Sequence, residues 1–229
     1  MAPIHDAARD RDVETLRRLL AEGVSPDAVD DEDRGETPLH TLCGGRLPSY
    51  REGDPAACFK LLRDAGANLD AVTRGGYTPL HVAVNYVNVE LVSLLVKTGA
   101  NVNAASDRGN TTLHFAASRA PSTGALACVE VLLAARADVN VRSTNWGTPF
   151  GTALARDHRR MLALYLRAGA QIPTNSTNPY IVRVRNAGGF KKYEQAHITR
   201  ITAILAPTPR LPPEMVRKIV GFWLHAGYY

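Results

Sequence analysis

At 229 residues, with 45% apolar and 21% charged residues, the chain has the composition of a folded protein of one or two domains, which excludes disorder throughout. Its three cysteines, Cys43, Cys58 and Cys128, contain no C-x-x-C pair, which excludes a disulfide framework and a cysteine zinc site. The net charge of +5 is uneven: residues 177–229 carry a balance of +6, so the basic character belongs to the C-terminal region.

The first copy of a recurring unit, residues 1–33, has His5 and Gly23 at its marker positions. Asp6, Arg9 and Asp10 interrupt any apolar signal there, and no later run approaches membrane-spanning length. These features predict a soluble protein of a reducing compartment, cytoplasmic or nuclear, and monomeric.

Gly35-Glu-Thr-Pro-Leu-His40, Gly76-Tyr-Thr-Pro-Leu-His81 and Gly109-Asn-Thr-Thr-Leu-His114 are copies of one hexapeptide. Two rulers agree on its period. From the histidine slot to a later glycine is 18 residues in the copies beginning at His5, His81 and Gly151. From that glycine slot to the next histidine slot is 15 residues in three of four cases, giving a 33-residue unit. Arg136 stands in the glycine slot of the fourth copy, and Gly151 in the histidine slot of the fifth. Extra residues fall around Gly45–Asp54, where Leu47, Pro48 and Tyr50 are either a binding element or tolerated drift, and around Ala120–Gly124. Both sites are expected turns between helices.

The third copy shows why each unit folds as two short helices. Thr78-Pro79 opens the first, since proline needs no N–H at the first helical position and threonine caps the free amides. Leu80, Val82 and Ala83 give it an apolar face. Asn88 begins a second helix with Leu91, Leu94 and Leu95 at helical spacing, and Gly99 ends it. The polar stretch from Ala100-Asn-Val-Asn103 to Asp107-Arg-Gly-Asn110 suits a projecting hairpin-like finger.

After Gly169-Ala170 the pattern stops, and Pro173–Pro179 is a polar connector. Asn178-Pro179 predicts a short helix through Tyr180, Ile181 and Val184, ended by Gly188-Gly189, and Phe190–Leu205 predicts a longer one. The segment Leu211–Trp223 has two prolines followed by Met215, Val216, Ile219, Val220 and Trp223 at helical spacing, an amphipathic helix.

With G-x-T-P-L-H, as in Gly76–His81, followed by Leu94-Leu-Val-Lys-Thr-Gly-Ala-Asn-Val-Asn103, the chain resembles the ankyrin repeat family. The resemblance covers residues 1 to 170 in about five copies (1–33, 34–73, 74–106, 107–142 and 143–172), leaving 171–229 as a helical extension. It implies an all-α solenoid of helix-turn-helix-finger units. The histidines then lie one repeat apart, each bonded to the threonine of its own motif and to neighbouring backbone, rather than converging on a metal. No phosphate loop or activated nucleophile is legible, and Cys58 and Cys128 read as small core residues, so neither cofactor nor catalysis is expected.

In that family the first helices and fingers line a concave, protein-binding surface. Carried onto this chain, the variable positions are Asp33, Arg34, Glu36, Arg74, Tyr77, Asp107, Arg108, Asn110 and Asn145 in the fingers, and Asn85, Tyr86, Ser118, Arg119 and Arg156 at the ends of first helices. Arg and Tyr are the types that most often carry interface energy. Trp146 is placed either in that surface or in the last repeat interface. The leading expectation is an interaction scaffold. The run L-P-P-E-x-V-x-x-I-V-x-F-W from Leu211 also resembles the opening helix of an F-box, which implies a ubiquitin-ligase substrate receptor docking on a Skp-type adaptor; the alternative is a helix that folds back on the preceding ones. Arg183, Arg185, Lys191 and Lys192 form a small basic cluster without a recognised nucleic-acid motif, a weaker pointer to nucleic acid or an acidic surface.

Overall fold

Twelve helices and no extended strand are found among the described residues of a computed structural model. It describes residues 3–30, 34–44, 53–119 and 122–205, together with Pro212, Glu214, Met215 and Lys218. They run α1 (Pro3–Asp10), α2 (Val13–Ala21), α3 (Pro38–Gly44), α4 (Pro55–Asp64), α5 (Pro79–Asn85), α6 (Val89–Lys97), α7 (Thr112–Ser118), α8 (Thr123–Ala134), α9 (Pro149–Ala155), α10 (Arg159–Arg167), α11 (Pro179–Asn186) and α12 (Phe190–Leu205). Two compact units divide between Thr152 and Ala153.

Helices of seven to twelve residues are too short to persist alone in water, so their ends and their neighbours must hold them. In the first four copies the second helix starts on a side chain that accepts a free amide: Asp12 from Thr15, Asp54 from Ala56 and Ala57, Asn88 from Leu91, Ser122 from Ala125. They stop in one way. The amide three residues beyond the helix returns to a carbonyl in its last turn, as Ala100 does to Leu95 at 3.0 Å and Ala137 to Leu132 at 3.0 Å. The residue directly before that amide takes positive φ, supplied by glycine in every copy except the fourth, where Arg136 holds φ 62°.

In the first unit, α1, α3, α5 and α7 pack in a row, and α2, α4, α6 and α8 form a second row. Between the rows lie Leu16, Leu42, Leu62, Leu80, Leu91, Leu95, Leu113 and Leu132, all fully buried. Each such leucine contributes roughly 1.5–3 kcal/mol. Cys43, Cys58 and Cys128 are buried thiols among them. Burial pushes Cys43 far up and Cys58 and Cys128 up to about 11, so these thiols stay protonated packing groups.

Three ladders bind successive copies. Histidine Nε2 reaches the next copy's finger: His5 to the Glu36 carbonyl (3.0 Å), His40 to Tyr77 (2.9 Å), His81 to Asn110 (3.0 Å) and His114 to Gly147 (2.9 Å). Carboxylate or amide oxygens accept amides one copy on, Asp27 from Asn68, Asp70 from Asn101 and Asn103 from Asp138. Fingers touch directly through Arg74 N–H to the Arg34 carbonyl (2.9 Å), Asp107 N–H to Gly75 (3.2 Å) and Thr144 N–H to Arg108 (3.1 Å). The fingers close as hairpins through the bridges Asp30 to Glu36, Ala105 to Thr111 and Ser143 to Gly147.

In the second unit, α11 starts at the cap Asn178 and ends before Gly188-Gly189, and α12 follows from Phe190, where the sequence placed both. Tyr180 and Tyr193 meet edge to face at 5.8 Å, and Arg167 pairs with Glu194 at 2.7 Å. The F-box-like run Leu211–Trp223 lies outside the described residues except for Pro212, Glu214, Met215 and Lys218; the insertion with Leu47, Pro48 and Tyr50 lies outside them entirely. Among the described residues no helix is long and apolar enough to cross a membrane.

Candidate partner-binding surface

The surface is built on the T-P-L-H corner. Thr78 caps α5 while the His81 ring turns back, its Nδ1 accepting from the Thr78 N–H (3.1 Å) and lying 2.9 Å from Thr78 Oγ1. Thr37 with His40 and Thr111 with His114 repeat this arrangement. Because Nδ1 accepts a backbone N–H, the ring proton sits on Nε2, which donates to the following finger. Burial pushes His81 down to about 4 and lowers His40 and His114. Each of these three rings is thereby a neutral clamp with both nitrogens engaged, as the resemblance implied, whereas His5, whose copy carries no threonine in that slot, engages only Nε2.

The clamped carbonyl belongs to the residue before the threonine: Glu36, Tyr77, Asn110 or Gly147. It accepts a second bond inside its own finger, from Asp30, Thr73, Ser106 or Ser143 N–H. The backbone at this slot is therefore doubly held while its side chain is free to vary.

Arg34, Glu36, Arg74, Tyr77, Asn85 and Tyr86 all line one concavity of about 700 Å³, together with Thr73, Gly75, His81, Val82 and Phe115. That volume lies within the range of ligand pockets. Arg34 and Arg74 stand side by side because the Arg74 amide bonds the Arg34 carbonyl, and the Arg74 stem passes the Gly35 Cα, where a Cβ would sit 3.4 Å from Cγ. Tyr77 folds against Gly75, where a Cβ would meet its ring at 2.8 Å. Tyr86 is 47% exposed yet held against Gly44.

The floor is an aromatic row. Tyr77 meets Phe115 edge to face at 5.5 Å, His81 meets Phe115 at 5.6 Å, and Phe115 meets Trp146 at 5.3 Å. Trp146, half-buried, thus extends the row of the repeat surface. Phe115 and Val82 were missed by the sequence reading. Both occupy the position directly after the motif histidine, which holds Thr41, Val82, Phe115 and Thr152 in successive copies, and that variability was the available signal.

The other expected residues are more dispersed. Asp107, Arg108 and Asn145 are exposed on later fingers. Arg119 donates from Nη2 to Asn85 Oδ1, joining the ends of two first helices, and Ser118 Oγ donates to the Phe115 carbonyl at 2.8 Å. Arg156 is exposed at the end of α9, in the second unit. Asn110 departs from the expectation: it is 2% exposed, its side chain withdrawn from solvent while its carbonyl serves His81. Asp33 lies outside the described residues.

Two family models match the chain, both described as ankyrin repeats, one over residues 4–46 and one, of three copies, over 47–143. Curated proteins similar to it include the ankyrin repeat, SAM and basic leucine zipper domain-containing protein 1 of Dasypus novemcinctus, 34% identical over 140 residues, covering 61% of this chain and 28% of that protein. Its counterpart in Mus musculus is 31% identical over 132 residues, covering 58% and 26%. The chain thus spans about a quarter of the length of these relatives.

Proposed function

Because the chain belongs to the ankyrin-repeat family, we propose that it acts without catalysis, as an intracellular scaffold that holds a partner protein against the concavity formed by α5 and the fingers that carry Arg34 and Arg74. One observation carries this reading: six variable residues that the repeat does not need for its own folding line a single concavity. Arginine and tyrosine dominate that group, the composition of interface hot spots.

The test is affinity capture with the full chain and with variants on two faces. Tyr86→Ala and Arg34→Ala should abolish retention of a specific protein, while Lys60→Ala and Lys97→Ala, exposed on second helices, should leave it unchanged. Equal loss from both faces, or from neither, removes the concave-surface reading.

Ubiquitin-ligase recruitment rests on the thirteen-residue run from Leu211 alone. Truncation after residue 206 tests it: loss of Skp-type and cullin-type components from the truncated bait supports it, and their absence from both baits removes it. Nucleic-acid binding through Lys191 and Lys192 is tested by salt titration, and binding that persists after both are neutralised removes that patch.

A further inference from the structure

The lining of the concavity limits the partner's chemistry. Its floor, Tyr77, Val82 and Phe115 with the Tyr86 ring at one wall, is apolar and already packed in place, so a side chain entering it displaces water without the cost of ordering the receptor. Its lining also includes Arg34 and Arg74, from adjacent fingers whose backbones are joined by the bond between Arg74 N–H and the Arg34 carbonyl. A guanidinium offers five donors and matches a carboxylate in a two-pronged bond. Glu36 is the one carboxylate among the described residues of the lining. It leaves those described residues a net positive charge of one and disfavours a continuous phosphate backbone, whose repeated charges would fall on it.

Resting on the protein-recognition reading above, we propose that this concavity receives a peptide segment of the partner in which a large apolar or aromatic side chain stands beside an aspartate or glutamate. The apolar group packs on Tyr77, Phe115 and Tyr86. The carboxylate bonds Arg34 and Arg74. The specificity is therefore for a short acidic-apolar motif rather than for a broad complementary surface.

Selection of a random-peptide phage library on the full chain tests this directly. Enriched clones should share an acidic residue next to Leu, Phe, Tyr or Trp. A synthetic peptide carrying that motif should bind, and both Arg34→Glu with Arg74→Glu and, separately, Tyr86→Ala should weaken it at least about tenfold. Thermal unfolding of each variant checks that the stack remains folded, and the charge-reversed chain should select lysine or arginine in place of the acid.

Enrichment without an acidic residue, affinity unchanged in the charge-reversed chain, or displacement of the peptide by a single-stranded oligonucleotide would each overturn the proposal. Failure here is separable from failure of the broader reading. If the captured protein still depends on Tyr86 and Arg34 while no acidic-apolar peptide enriches, the concave surface stands and the motif falls. If capture depends on neither, the surface itself falls.

Discussion

His81 Nε2 donates to the carbonyl oxygen of Asn110, 29 residues later in the chain and 3.0 Å away. That carbonyl also accepts the Ser106 N–H, so one imidazole holds the next finger's hairpin against the preceding helix pair. Protonating Nδ1 would leave the Nε2 donor in place but would remove the acceptor of the Thr78 N–H and charge a buried ring, so the corner is built for the neutral imidazole.

Acid should therefore loosen the stack. Folded His81 is pushed down to about 4 from an ordinary value of 6.5. Between these limits the unfolded chain binds a proton that the folded chain does not, so stability falls as pH drops from 6.5 toward 4 and levels off below. His81 alone accounts for up to about 3 kcal/mol. His40 and His114 are lowered in the same direction and add to it. Urea unfolding at about pH 7.5 and about pH 5 measures the slope, and His81→Gln should be less stable at the higher pH but show a shallower slope.

Two glycines with similar backbone should tolerate alanine differently. Gly66 has φ 88° with open space around it, whereas at Gly76, φ 74°, a Cβ would sit 2.5 Å from Asp107 Oδ1 and 2.7 Å from its amide nitrogen. Gly66→Ala should cost only the left-handed backbone penalty, about 1–2 kcal/mol. Gly76→Ala must also displace the neighbouring finger and should cost at least about 3 kcal/mol. Chemical denaturation of the two variants makes the comparison.

Arg136 offers the opposite case. It is an exposed arginine at φ 62° in a slot that other copies fill with glycine. Arg136→Gly relieves roughly 1 kcal/mol of backbone strain, partly offset by the greater freedom of glycine in the unfolded chain. A net gain of about 0.5 kcal/mol is expected, read as a rise in Tm.

Tyr86 separates binding from folding. Its side chain is 47% exposed, so Tyr86→Ala should change stability by less than about 1 kcal/mol while abolishing partner capture. A large drop in Tm with binding retained would reverse its assignment.

The repeat was legible because every copy solves the same local problem with the same residues. Threonine caps, proline starts, leucines at helical spacing fill the space between rows, and glycine or Arg136 turns the chain out. Much of the concavity was legible too, since Arg34, Glu36, Arg74, Tyr77, Asn85 and Tyr86 occupy slots that the motif leaves variable. Asn110 was not. It shares its slot with Tyr77, yet Tyr77 lines the concavity and Asn110 is enclosed, a difference that depends on the size of the side chain and on what the adjacent finger places over it.

The order of helices, their caps and the period at which they recur follow from the chain alone, because each rests on interactions within a few residues. Which variable side chains would meet at one place did not. Arg34 and Arg74 lie forty residues apart and become neighbours only through a backbone bond between fingers, and Phe115 joins Tyr77 only when α7 packs on α5. Such proximities are set by how copies stack, which no single copy encodes.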